Sequence, residues 1–193
     1  MNSKYFGVAL GIVVLACVAV AVIVSHPGGK STKKTTAKNK VISLLDYQDK
    51  DASVSVTTLG PIVGDEKRRA INMTISADDR SMSVLDGYNQ TVEKEKHYKN
   101  NQTAFTYFIR ALNGTGFTLK RPSAITDYRG VCAGGNIYIY QLYDDTGQLV
   151  SDTWSTSCDA AIGPFAGSGP AVRELMQMQL TDYADFTGGV FDQ

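Results

Sequence analysis

Two cysteines, Cys132 and Cys158, set the tightest constraint on how this chain can fold. A third, Cys17, lies in an apolar run near the N-terminus, so arithmetic leaves one pairing. Between the two runs "AGGNIYIYQLYDDTGQLVSDTWSTS", where residues 137–140 and 150–156 are rich in β-branched and aromatic side chains and "DDTG" sits near the midpoint. That pattern predicts a β-hairpin. Asp144 at the first turn position and Gly147 at the fourth match a type I turn followed by a G1 bulge, with glycine in the left-handed conformation. Counted outward from the turn, Asp144 faces Gln148 and Trp154 falls opposite Tyr138. The cysteines then come within two positions of each other, a remainder that a bulge at Gly134-Gly135 absorbs. They meet close to the Cα separation of about 5.5 Å that a disulfide needs. Closing such a loop stabilises the fold by about 3 kcal/mol on the chain-entropy model. The bland alternative is two unpaired buried thiols.

The same turn contains Asp145-Thr146-Gly147, the tripeptide that carries the catalytic carboxylate of aspartic proteases. In those enzymes the triplet follows apolar residues and a second lobe or subunit supplies the partner carboxylate. Here its neighbours are Asp144 and Gln148, and no second such motif exists. Asp145 therefore reads as a turn residue.

Elsewhere the apolar period identifies the elements. "DASVSVTTLGPIV" alternates at Val54 and Val56 and stops at Gly60-Pro61; "RRAINMTIS" alternates at Ile71, Met73 and Ile75; "SMSVLDGY" alternates at Met82 and Val84. Each predicts a half-buried strand, the last two joined by a turn at Asp78-Asp79-Arg80. "TVEKEKHY" predicts an edge strand protected by its lysines. The period then becomes helical. Phe105, Phe108, Ile109 and Leu112 fall at i, i+3, i+4 and i+7, after Asn100 as a cap and before Asn113-Gly114 as the stop. A second helix opens at "GSGPAVRELMQMQL", with Ser168 or Gly169 as cap, Pro170 in the first turn, and Val172, Leu175, Met176 and Tyr183 facing inward. The expected fold class is α+β: one domain over residues 41–193, a mostly antiparallel sheet with two helices on one face and a disulfide-closed hairpin.

Ahead of that domain, a tail (1–4) leads into residues 5–24, "YFGVALGIVVLACVAVAVIV", twenty residues without a charge. At 1.5 Å per residue they cross a hydrocarbon layer of roughly 30 Å, which predicts a transmembrane helix. Ala19-Val20-Ala21 mimics a signal-peptide cleavage site, and Cys17 after "VLA" a lipoprotein site, but in both cases the apolar run continues where polar residues belong. A type IV pilin shaft is excluded because the stretch has no Glu. Residues 25–40, "SHPGGKSTKKTTAKNK", predict a flexible tether, whose Lys30, Lys33, Lys34, Lys38 and Lys40 suit anionic lipid or cell-wall phosphate. Those lysines argue for a cytoplasmic domain by the positive-inside rule, whereas a disulfide argues for an oxidising compartment. The disulfide outweighs them, and the domain is expected outside.

The formal charge of zero hides an asymmetry. Residues 1–40 carry six Lys and no acid, leaving thirteen Lys+Arg against nineteen Asp+Glu in the rest. An acidic domain without a basic stripe is a poor nucleic-acid binder. His26 and His97 are the only histidines, and neither stands at metal-ligand spacing from another His, Cys or acid. Ser-His-Asp and Cys-His catalysis therefore lack their parts. Asp46, Asp49 and Asp51 approach a calcium-loop pattern that no Gly or distal Glu completes, so no metal and no cofactor is expected. "GPFAGSGPAV" offers amides at a helix start but lacks the third glycine of a dinucleotide loop, and reads as a cap. The four sequons at Asn72, Asn89, Asn101 and Asn113 are incidental unless the host is a eukaryote. Tyr138, Tyr140 and Trp154 are expected on one hairpin face, either as core or as a contact surface for a partner protein or glycan.

Taken together, "RRAINMTIS", "DGY", "YKNNQTAFTYFIRALNGTGF", "VCAGGNIYIY", "WSTSCD" and "GPFAG" resemble single-pass membrane-anchored proteins of Saccharibacteria-type candidate-phylum bacteria, over most of residues 45–185. The resemblance implies a bacterial cell-surface setting and carries over no catalytic or binding residue. The leading expectation is a non-enzymatic, membrane-anchored extracytoplasmic binding module of the cell envelope, with an envelope protein or glycan as partner. One alternative is an accessory subunit of a membrane complex, packed through the Gly7 and Gly11 face of its transmembrane helix. Another is a cell-wall hydrolase using two carboxylates.

Overall fold

β-Branched and aromatic residues at alternate positions make six strands, and the computed structural model pairs them in one antiparallel sheet. It describes residues 42–159 and 163–191; the expected transmembrane helix (5–24) and tether (25–40) lie outside the described residues. The strands are β1 (Ser53–Leu59), β2 (Arg69–Ser76), β3 (Asp79–Asp86), β4 (Thr91–Lys99), β5 (Ile137–Tyr143) and β6 (Leu149–Thr156), in the order β4-β3-β2-β1-β5-β6. Helix α1 (Gln102–Gly114) follows β4, and α2 (Gly169–Gln177) and the short α3 (Tyr183–Thr187) follow β6. The mostly antiparallel α+β architecture expected from the sequence is the one observed. Among the described residues, no helix is long and apolar enough to cross a membrane.

The main core lies between one sheet face and the helices. Phe105, Phe108, Ile109 and Leu112 of α1, with Val172 and Met176 of α2, pack on Val54, Val56, Ile71, Met73, Ile75, Met82, Val84 and Tyr140. β1 departs from the half-buried expectation, since it is central and covered on both sides: Ser55 and Thr57 are buried on the far face as Val54 and Val56 are on the near one. β4 is the exposed, charge-rich edge expected of it. The α1 cap moves by one residue. Asn101, in an extended conformation, accepts from the Ala104 amide, while Asn100 is drawn back to the β2–β3 turn, its amide nitrogen donating to the Asp78 carbonyl. At α2 the Ser168 side chain accepts from the Ala171 amide.

The hairpin turn forms as the "DDTG" signature requires, with Gly147 at φ 76° and its amide donating to the Asp144 carbonyl. One extra residue then enters β6. Tyr143 pairs with Leu149, but Leu142 pairs with Ser151, so Val150 is the surplus. That bulge slips the register by one, and a one-residue slip turns every later side chain to the opposite face. Trp154 consequently sits opposite Ile139, not Tyr138. Cys132 and Cys158 are bonded with their Cα atoms 5.8 Å apart. Gly135 is needed beside them, because a Cβ there would lie 2.7 Å from Cys132 Sγ.

A second, smaller core lies on the far face. Leu59, Ala70, Leu85, Ile137, Ile139 and Trp154 are capped there by Cys132 and by Ile125, Tyr128 and Val131 of the connection between α1 and β5. Nothing in the periodicity of that connection announces its role. The disulfide fastens it to the end of β6.

Candidate functional site

The expected aromatic contact surface does not form. Tyr140 is fully buried on the helical face, stacked on Phe165 with ring centres 4.1 Å apart, and its hydroxyl lies 2.9 Å from Ser155 Oγ. Burial raises the Tyr140 pKa. Trp154 is 5% exposed on the other face, edge-on to Tyr128. Tyr138 is partly buried beneath the Arg173 guanidinium, 3.8 Å from its ring centre. The Val150 bulge accounts for the split between Trp154 and the two tyrosines.

Asp145 is exposed in the turn. Asp144 holds that turn together: its Oδ1 accepts from Thr146 Oγ1 and from the amides of Thr146 and Gln148, and these bonds lower its pKa. His97 lies between Asp79, at 2.9 Å, and Glu95, at 3.3 Å. Among the described residues no cluster of three or more His, Cys, Asp or Glu is arranged to hold a metal ion. The polar strip on the far sheet face is satisfied from within. Asn72 Nδ2 donates to Ser55 Oγ and Thr57 Oγ1, both at 2.8 Å, and Thr74 donates to Asn72 Oδ1 at 3.0 Å.

A cavity of about 180 Å³ lies beside the second core. β1 and β2 supply Leu59 and Ala70, and β5 supplies Ile137; the disulfide-fastened connection contributes Tyr128, Arg129 and Cys132; Ile62, Tyr88 and Gln90 form the outer wall. Arg68 also lines it and is only 7% exposed. Its Nη1 donates to the carbonyls of Gly60 and Pro61, clamping the loop after β1, and its guanidinium carbon lies 5.3 Å from the Tyr88 ring centre. Nε and Nη2 have no acceptor among the described residues, and no carboxylate lies within ion-pair reach of Arg68. Taking a charge largely out of water without a counter-ion is unfavourable. Cation–π contact and two carbonyls offset part of that cost.

The second arginine in the wall, Arg129, is neutralised. It makes a forked contact with Asp127, with Nε to Oδ1 at 3.0 Å and Nη2 to Oδ2 at 2.6 Å, which holds the Asp127 carboxyl at about 2. Asp65 engages the Tyr88 amide at 2.7 Å. Among the described residues no acid lines the cavity, so with Arg129 paired to Asp127, Arg68 gives a mostly apolar pocket one unmatched positive charge.

Two further features mark the rim. Ile62 and Tyr88 are 47% and 51% exposed, which extends apolar surface outward from the mouth. Gln90 has φ 54°, the only positive φ of a non-glycine among the described residues. A side chain in that region is strained by roughly 1–2 kcal/mol, and such strain gathers at binding sites. Sequence reading missed Arg68 because its neighbours suggest only the start of a strand. The sole local hint was "RR" ahead of an apolar alternation. In comparisons with known proteins, no family model matches the chain and no curated protein matches it.

Proposed function

We propose that this chain is a membrane-anchored, extracytoplasmic binding domain whose recognition element is the Arg68 cavity, taking an apolar group that carries a carboxylate. The observation that carries the reading is the buried guanidinium without a counter-ion in an apolar pocket. Small-ligand sites share that composition, apolar walls with few convergent polar groups. The volume limits the guest. About 180 Å³ is near the 150 Å³ cavity that accommodates benzene, and below the roughly 300–1,000 Å³ of pockets for drug-sized ligands. One ring or one apolar side chain fits. The exposed Ile62 and Tyr88 favour a larger body outside the mouth, as when a polypeptide partner inserts its terminal residue. The anchor reading rests on the uncharged residues 5–24, and the outside location on the Cys132–Cys158 pair.

Phenylacetate, a single-ring carboxylate, is a suitable probe, and phenylacetamide is its neutral counterpart. Trp154, the chain's one tryptophan, packs on Tyr128 in the cavity wall and reports occupancy by fluorescence. The full chain in zwitterionic micelles should bind phenylacetate, with phenylacetamide at least about tenfold weaker, a difference of ~1.4 kcal/mol. Equal binding of the two, or binding of neither, would sink the proposal. On intact cells, a membrane-impermeant maleimide should label Cys132 and Cys158 only after reduction. Labelling without reductant, and only in opened cells, would place the domain inside.

A further inference from the structure

A second cleft, of about 270 Å³, opens on the helical side of β6 at the start of α2. Its lining includes Arg121, Arg173, Tyr138, Ser155 and Ser157, and no carboxylate. The two arginines stand 52 positions apart in the chain, and folding brings them to one opening. Arg173 lies over the Tyr138 ring, its guanidinium carbon 3.8 Å from the ring centre, and its Nη1 reaches Tyr140 Oη at 3.5 Å. Arg121 donates from Nε to the Gly163 carbonyl at 3.1 Å and from Nη2 to the Phe165 carbonyl. Among the described residues neither arginine has a carboxylate within ion-pair reach, although the domain as a whole is acidic. The positive end of the nine-residue α2 opens onto the same cleft through Gly169 and Pro170.

We propose that this cleft is a second binding site, separate from the Arg68 cavity, and that it takes a phosphate group. Two guanidiniums without acids, one of them seated over a ring, are pre-organised for an oxyanion that accepts several hydrogen bonds at once. The helix start and the serine hydroxyls suit the same guest. "GPFAGSGPAV" by itself indicates only a cap, since neither arginine that makes it a site belongs to the motif. A soluble phosphate monoester and the headgroup of an anionic lipid share this chemistry.

The test is calorimetric titration of inorganic phosphate into the full chain, first in zwitterionic micelles. Arg173→Gln is the informative variant because, among the described residues, the only hydrogen-bond or ring partners of its side chain are Tyr140 and Tyr138, whereas Arg121 also secures two backbone carbonyls. Binding should weaken at least about tenfold in Arg173→Gln. Arg173→Lys, which keeps the charge but loses the fork, should fall between the two. Near-UV circular dichroism of Trp154 checks that the variants fold. If phosphate does not bind the wild-type chain, or binds Arg173→Gln equally well, the site does not exist; the second result would assign binding to the tether lysines. Repeating the titration in vesicles of phosphatidylcholine with and without phosphatidylglycerol separates the sources. Competition by the anionic lipid that depends on Arg173 identifies a headgroup, and its absence identifies the soluble ester. The phenylacetate result bears on neither outcome.

Discussion

Cys132 is bonded to Cys158 across a Cα separation of 5.8 Å, and the same Cys132 forms part of the wall of the Arg68 cavity. One covalent link thus closes the hairpin and holds the connection that roofs the pocket. Removing it with Cys132→Ser and Cys158→Ser together should cost about 3–4 kcal/mol from loop-closure entropy. Denaturant unfolding of the full chain measures this, and phenylacetate affinity should fall in the same variant. An unchanged unfolding midpoint would show that the second core holds without the link.

Asp127 governs how positive the pocket is. Its carboxylate occupies Arg129 through a forked contact, so Arg68 acts alone. Asp127→Asn should release Arg129 as a second cation at the cavity and tighten phenylacetate binding several-fold. With the Asp127 carboxyl held at about 2, the pair stays ionised at ordinary pH. Affinity of the wild-type chain should therefore be flat from about pH 6 to pH 8, where the probe is also ionised. Weaker binding in Asp127→Asn would mean that the pair shapes the pocket more than it neutralises it.

Gln90 occupies a left-handed conformation at φ 54° in the cavity wall. Gln90→Gly should relieve that strain, partly offset by the greater freedom of glycine in the unfolded chain, for a net gain of roughly 0.5–1 kcal/mol. Thermal unfolding gives the sign. Destabilisation would show that contacts of the Gln90 side chain outweigh its backbone strain.

His97 gives stability a pH dependence. Hydrogen bonds to Asp79, then to Glu95, raise its pKa above the ordinary 6.5. A group whose pKa is raised on folding contributes fully below its unfolded-state value, and that contribution is lost as pH rises through the folded-state value. The window therefore begins near 6.5 and extends upward. Melting temperature should drop slightly between about pH 5.5 and pH 8.5, less so in His97→Gln, and the difference between the two should shrink with salt because the site is exposed. Identical pH profiles for the two chains would remove the effect.

Local chemistry was enough to identify the elements. Apolar alternation marks β1 to β3, the i, i+3, i+4, i+7 set marks α1, Ser168 and Pro170 mark the start of α2, and "DDTG" marks the hairpin turn, because each signal depends on neighbours a few residues apart. The cysteine pair was legible for the same reason, as its two members flank one hairpin. Tertiary structure decided the rest. The Val150 bulge is not written in the turn signature, yet by shifting β6 one residue it sent Trp154 to one face and left Tyr138 and Tyr140 on the other. Both candidate sites are also products of long-range packing. Arg68 meets the connection around Tyr128 and Cys132, and Arg121 meets Arg173, only once the sheet order places β1 beside β5 and α2 packs on the near face. Sequence periodicity records which face of an element is apolar; it holds no record of which distant side chains will share a cavity.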